Sequence, residues 1–228
     1  MNLLTDIGEL LLPHQCPLCK RILSSGKMCV CHRCLSRLEY VSPAYVPYNA
    51  LESRLPCKRA AALLKYTGRS MPQRLIHAMK FRGGRRLCLF MGRTLGSALR
   101  DSGFFDGVDV IVPVPLHPKR RRERGYNQCE LITRGLSEVT GIPVCGDVLY
   151  QHKLTPNQSS LSLKERADNR RGAFALSPDV AALKGRHLLL VDDVVTTGAT
   201  VSACAGLLSG IEGVEVSVAA VASTLFWT

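Results

Sequence analysis

Residues 187–210 read HLLLVDDVVTTGATVSACAGLLSG, and this stretch decides the fold. Leu188, Leu189, Leu190 and Val191 form a continuous apolar run of the length expected for a strand buried on both faces. Asp192 and Asp193 follow where that strand emerges. Thr196, Thr197, Gly198, Ala199 and Thr200 then turn the chain into a segment of helical character. In an open parallel sheet, ligands bind beyond the carboxyl ends of the strands, where backbone N–H groups at a helix N-terminus face solvent. Gly198 tolerates backbone angles that other residues avoid, and the threonine hydroxyls add donors for an anion. The turn is therefore a candidate phosphate cradle. It has no Walker lysine, which argues against an NTPase P-loop. Adjacent carboxylates would repel the anion that the cradle attracts unless they serve another part of the ligand. Sugar hydroxyls or a bound cation supply that role, and a ribose 5-phosphate satisfies both halves. The plainer alternative is a helix cap in which either aspartate accepts backbone N–H bonds.

Outward from this stretch, VEVSVAAVAS (214–223) reads as a final strand, and VDVIVPVPL (108–116) as an earlier one. The earlier strand feeds a basic loop and then a helix from about 127 to 140, closed by Gly141. Between 70 and 100 the apolar positions Leu75, Ile76, Met79, Leu87, Phe90, Met91, Leu95 and Leu99 recur at helical spacing, with Gly83 and Gly84 splitting the run into two helices. Strands alternating with helices predict an α/β domain with a mostly parallel sheet and helices on both faces. Residues 152–171 form a long polar stretch without a clean period, a class of loop that is usually functional or mobile.

The chain has 228 residues and ten cysteines, five of them between Cys16 and Cys34. Cys16 and Cys19, then Cys31 and Cys34, make two C-x-x-C knuckles, the spacing of a closed tetrahedral Zn²⁺ site of structural type. Cys29 and His32 are alternative ligands, and an iron–sulfur cluster or a redox dithiol is the competing chemistry. The expected organisation is a zinc-binding module over 1–45 and one main domain over 46–228. Cys57, Cys88, Cys129, Cys145 and Cys204 read as small core residues. The start lacks a basic n-region and a small-residue cleavage site, and no apolar run reaches the ~20 residues of a membrane span. A cytoplasmic protein without membrane insertion is expected. The net charge of +12 is clustered at 80–86, 119–124 and 164–171. Such clusters attract phosphates, whether on a nucleotide-like ligand or on nucleic acid. In the second cluster Arg121 and Arg124 are the expected phosphate ligands, with Lys119 and Arg120 left to solvent.

LLLVDDVVTTGAT (188–200) resembles the phosphoribosyl pyrophosphate (PRPP) signature of type I phosphoribosyltransferases. PVPLHPKRRRERGYNQ (113–128), TPNQSSLSLKERADNRRGAF (155–174), the Lys80–Phe81 pair and the cysteine module together resemble the ComF group within that class. The resemblance implies a type I phosphoribosyltransferase fold, with a flexible hood over the reacting centre. It implies that Asp192 and Asp193 contact the ribose hydroxyls, and that Thr196, Thr197, Gly198, Ala199 and Thr200 bind the 5-phosphate. Gln158, Arg166 and Asn169 fall in the hood, and Mg²⁺ would arrive with the ligand's pyrophosphate. It also implies an association with DNA uptake. Two classes of function follow: phosphoribosyl transfer to an acceptor, or an accessory role in which PRPP regulates contact with single-stranded DNA or an uptake helicase. Aromatic residues are 6% of the chain and are expected not to interleave with the basic clusters, which weakens a stacking platform.

Overall fold

The computed structural model describes residues 15–23, 29–41, 57–68, 70–81, 84–154 and 172–225. The elements in chain order are α1 (His32–Leu35), β1 (Ala60–Lys65), α2 (Met71–Met79), α3 (Gly84–Leu99), β2 (Val110–Pro113), α4 (Pro118–Arg124), α5 (Gln128–Thr140), β3 (Leu149–Gln151), β4 (Phe174–Leu176), β5 (His187–Val195), α6 (Ala199–Ser209) and β6 (Glu215–Ser223).

Four strands pair in the order β1-β6-β5-β2, all parallel, while β3 and β4 form a separate antiparallel pair. Val191 of β5 lies opposite Pro113 of β2 and Ala219 of β6, so the run expected to be a buried strand occupies the middle of the sheet. Alternate residues of β5 enter different cores. Leu189 and Val191 face Leu75, Ile76, Met79, Leu87, Met91, Ile132 and Leu136 of α2, α3 and α5. Leu188 and Leu190 face Val201, Cys204, Ala205 and Leu208 of α6. Helices on both faces follow from this two-sided burial.

α3 and α5 approach so closely that backbone of one fills the space a side chain would need on the other. A Cβ on Gly92 would stand 2.1 Å from the Ile132 carbonyl oxygen, and one on Gly135 would stand 2.2 Å from that of Leu89. The apolar period predicts the two helices but not these glycine contacts, which depend on which helices become neighbours.

The predicted basic loop is a helix instead. Pro118 begins α4, which runs through Arg and Glu residues of good helix propensity to Gly125, whose φ of 83° lets the chain turn out of the helix. The earlier strand is shorter than the predicted 108–116, because Pro113 and Pro115 lack the N–H groups that would continue its pairing.

The cysteine knuckles are docked on this frame. Cys16, Leu18, Val30, Cys31, Cys34 and Leu38 belong to the same apolar cluster as α2 and α3. The Arg74 guanidinium donates to the Leu18 carbonyl. Tyr40 and Leu64 form an antiparallel bridge at the free edge of β1, with Val41 N–H donating to the Leu63 carbonyl at 2.9 Å. The expected boundary near residue 45 lies outside the described residues. Among the described residues, no helix is long and apolar enough to cross a membrane.

Candidate functional site

β2 and β5 lie side by side, yet the chain leaves them in opposite directions. After β2 it passes through α5, on one face, to Val144, which bridges Ile111 on the outer side of β2. After β5 it passes through α6, on the other face, to β6. The loops beyond these two strands diverge and leave a crevice at their carboxyl ends, the place where open α/β sheets bind ligands. A cavity of about 270 Å³ lies there, lined by Lys80, Arg120, Arg124, Gln128, Cys129, Asp192, Asp193 and residues 194–201, among others.

The acidic pair forms the floor. Asp192 and Asp193 are 8% and 7% exposed, which is unusual for carboxylates and requires partners. Their side chains alternate across the strand. Asp193 Oδ2 accepts from Gln128 Nε2 at 3.1 Å and lies 3.4 Å from Lys80 Nζ. Asp192 Oδ1 accepts from the Asp193 N–H at 2.8 Å and from Cys129 Sγ at 3.5 Å. Burial, reinforced by the negative charge of Asp193, pushes the Asp192 carboxyl up to about 7. The Asp193 carboxylate, acting against desolvation, raises Lys80 above the usual lysine range and keeps it an ammonium. Beside Asp192 the Cys129 thiol is pushed well up, by burial first and then by the two carboxylates.

Asn127 sets the start of α5 and hence the position of Gln128 and Cys129. Its side chain accepts from the Cys129 N–H at 3.0 Å and donates to the Val114 carbonyl at 3.0 Å, tying the exit of β2 to the helix. The opposite wall is the turn from β5 into α6. Gly198 sits there at φ 77°, a left-handed conformation that a β-carbon would strain. The Thr196 carbonyl is held by Thr224 Oγ1 at 2.6 Å, while the Thr196 and Thr197 side chains remain exposed. The N-cap Gly198 offers no side chain to α6, and the Ala199 N–H donates only a long bond, 3.5 Å, to Thr197 Oγ1, so the start of the helix that lines the cavity suits an anion.

The structure brings Asp192, Asp193, Thr196, Thr197, Gly198, Ala199, Thr200 and Arg124 to one cavity. It places Arg121 elsewhere. The Arg121 guanidinium makes two bonds to Glu130, at 2.8 and 3.1 Å, and lines a neighbouring cavity instead. Arg120, expected in solvent, lines the acidic cavity. The helical form of α4 explains the exchange, since adjacent residues project about 100° apart around its axis. Gln158, Arg166 and Asn169 lie outside the described residues. Gln128, Cys129 and Lys80 also line the cavity, although they are not among the site residues expected from sequence. Lys80 had a signal, the Lys80–Phe81 pair at the end of a helix, whereas Cys129 looked like any small core residue.

Away from this site, the sulfurs of Cys16, Cys19, Cys31 and Cys34 all lie within 4.8 Å of one another. A tetrahedral zinc at ~2.3 Å from each sulfur sets S···S separations of roughly 3.8 Å. The Cys19 and Cys31 sulfurs are already 3.6 Å apart. The group could hold a metal ion with little rearrangement. Cys29 and His32 are not part of it.

No protein-family profile matches the chain. Among curated proteins, it is 32% identical over 225 residues to DNA utilization protein YhgH of Escherichia coli K12, covering 91% of this chain and 96% of that protein. It is 35% identical over 147 residues to Competence protein F of Haemophilus influenzae, covering 62% and 64% of the two chains. Competence protein ComFC of Bacillus subtilis is 26% identical over 135 residues, covering 59% and 52%. Among solved structures, an adenine phosphoribosyltransferase aligns at a TM-score of 0.36 with 16% identity, over 67% of this chain and 69% of that one. A hypothetical protein from Neisseria gonorrhoeae with bound ppGpp aligns at 0.38 with 16% identity, over 61% and 67%. Overlaps this partial add nothing to the strand order and the site geometry described above.

Proposed function

Because the chain belongs to the ComF family of competence and DNA-utilization proteins, we propose that it binds PRPP in the β2–β5 crevice and transfers the phosphoribosyl group to an acceptor, in a pathway of DNA uptake. One observation carries this reading. Two buried carboxylates stand near the end of a central strand, between the glycine-led N-terminus of α6 and three basic side chains, Lys80, Arg120 and Arg124.

Each half of that arrangement matches one part of the ligand. Ribose hydroxyls donate to Asp192 and Asp193, replacing the water those carboxylates have lost. The 5-phosphate accepts from the backbone N–H groups of the turn after Gly198, with the helix dipole behind them. The pyrophosphate lies toward Arg124 and Arg120, whose guanidinium groups can each offer two parallel donors. Among the described residues lining the cavity no nucleophile stands ready, since the Cys129 thiol is held protonated by its buried acidic surroundings. The protein therefore acts by positioning the sugar and stabilising the departing charge. Mg²⁺ bound to the ligand's pyrophosphate oxygens would supply further charge neutralisation. Gln158, Arg166 and Asn169 would contribute contacts to the lid or to the second substrate. The four clustered cysteines would hold a structural Zn²⁺.

Calorimetric titration of PRPP with and without Mg²⁺ tests the reading. The expected result is Mg²⁺-dependent binding that an Asp192→Asn/Asp193→Asn variant loses while remaining folded. Absence of binding by the parent protein would sink the proposal.

A second reading, contact with single-stranded DNA, is favoured by a groove of about 650 Å³ between the cysteine knuckles and α2–α3. Lys20, Arg74 and Arg86 line it beside Phe81, which is 55% exposed and stands 4.3 Å from the His77 ring. Phe81 lies within the 80–86 basic cluster itself and the docked knuckles add Lys20, so an aromatic pair does stand among cations. DNA affinity falling linearly on a log scale with salt would support this reading.

A further inference from the structure

Among the described residues lining the crevice, Lys80 is the one basic side chain that does not come from α4. It follows the last residue of α2, and its ammonium reaches the floor of the crevice, 3.4 Å from Asp193 Oδ2. That separation is longer than the roughly 2.7–2.9 Å of a tight charge-assisted hydrogen bond. The same oxygen is already held by Gln128 at 3.1 Å. Lys80 therefore neutralises Asp193 without being locked to it.

The backbone beneath Lys80 is fixed far more firmly than its side chain. Tyr126 Oη lies 2.7 Å from the Met79 carbonyl oxygen and 2.7 Å from that of Phe81, the residues on either side of Lys80. Gly84 leaves room for this hydroxyl, because a Cβ there would stand 2.5 Å from it. Tyr126 comes two residues after Arg124, so one side chain ties the base of Lys80 to the end of the basic helix. The result is a rigid anchor carrying a flexible four-carbon arm. Arg124 acts on Lys80 as a like charge, which places both cations toward the same space.

We propose that Lys80 is an exchangeable counter-cation, pairing with Asp193 while the crevice is vacant and swinging to the diphosphate when a phosphoribosyl ligand enters. The inference rests on the PRPP reading and deepens it. In the vacant crevice Lys80 offsets the mutual repulsion of Asp192 and Asp193. When a ribose hydroxyl donates to Asp193, the carboxylate no longer needs the ammonium, and the pyrophosphate offers it a stronger partner. Discrimination between ligands follows. A sugar phosphate without a diphosphate must displace Lys80 from Asp193 and gives it nothing in return.

The test compares PRPP with ribose 5-phosphate, which keeps the ribose hydroxyls and the 5-phosphate but lacks the diphosphate. Both are titrated calorimetrically, with Mg²⁺, into the parent, Lys80→Met and Tyr126→Phe proteins. In Lys80→Met, PRPP affinity should fall about ten- to hundredfold, the worth of a charge-assisted hydrogen bond. Ribose 5-phosphate affinity should hold or rise, because Asp193 is no longer engaged. Tyr126→Phe should show a weaker form of the same selective loss. A merely structural role for Lys80 would weaken both ligands equally in Lys80→Met, and that outcome overturns the inference while leaving the PRPP reading standing. A parent protein that binds neither ligand overturns the reading of the site, and the role of Lys80 with it.

Discussion

The cysteine knuckles and the acidic crevice are both dense polar sites on one α/β frame, and they differ in where their parts come from. The knuckles draw all four sulfurs from residues 16–34. The crevice draws Lys80 from the end of α2, Arg120 and Arg124 from α4, Gln128 and Cys129 from α5, and its acidic pair from β5. A site closed by neighbours in sequence can be recognised from spacing alone. A site closed by the topology of the sheet can be recognised only in the piece that happens to be continuous.

The largest effect that would break this comparison concerns the knuckles. If a metal holds them together, Cys34→Ser should lose the metal and destabilise the protein. In isolated peptides structural zinc contributes on the order of 10 kcal/mol. Here Leu18, Val30 and Leu38 also pack against α2 and α3, so a loss of several kcal/mol is expected. At about 2–4 °C per kcal/mol for a chain of this size, Tm should drop on the order of 10 °C or more, with metal content falling in parallel. An unchanged Tm in the metal-free variant would show that docking on the helices alone holds the module.

A smaller effect separates folding from binding in the crevice. The Asp192 carboxyl is raised from 3.8 to about 7 in the folded protein. The folded state therefore binds its proton more tightly than the unfolded chain does. Its contribution to stability is largest in acid and declines as pH rises from about 4 through 7. Ligand binding runs the other way, because hydroxyl donors and cations favour the carboxylate. PRPP affinity should rise by up to tenfold per pH unit below 7 and level off by about pH 8. The ligand's own phosphate titrates near pH 6. Asp192→Asn, a weaker binder, provides the reference slope to subtract. Parallel slopes in the two proteins would mean that Asp192 does not change its protonation on binding.

This contrast explains how much could be read in advance. The strand, turn and helix of 187–210, the two helices between 70 and 100 and the cysteine pairs were legible, because each is fixed by composition and period over consecutive residues. Cys129 was not. Its neighbours in sequence are those of a helix start, and only the register of α5 against β5 brings its sulfur to Asp192. At the aromatic pair His77 and Phe81, Arg74 and Arg86 are near in sequence, and it is Lys20 that arrives only when the knuckles dock on α2 and α3. The apolar period gives Gly92 and Gly135 no role; they matter only because the two helices touch there.

The smallest effect is also the sharpest check on the crevice, because it depends on one turn of helix. Arg121 and Arg124 are equivalent in a loop, and both were expected at the phosphate. In α4 Arg124 shares the crevice with Arg120, four residues before it, while Arg121 is held away by Glu130 in an exposed ion pair whose partners are 57% and 34% accessible. Such pairs contribute about 0.2–1 kcal/mol. Arg121→Ala should therefore change stability by less than about 1 kcal/mol and PRPP affinity by less than about twofold. Arg124→Ala, which removes a donor lining the crevice, should weaken PRPP by about tenfold or more. If the two variants lose affinity equally, α4 must unwind or rotate when the ligand arrives. The basic segment would then act as the loop that its sequence suggested, and the helix would belong to the vacant state alone.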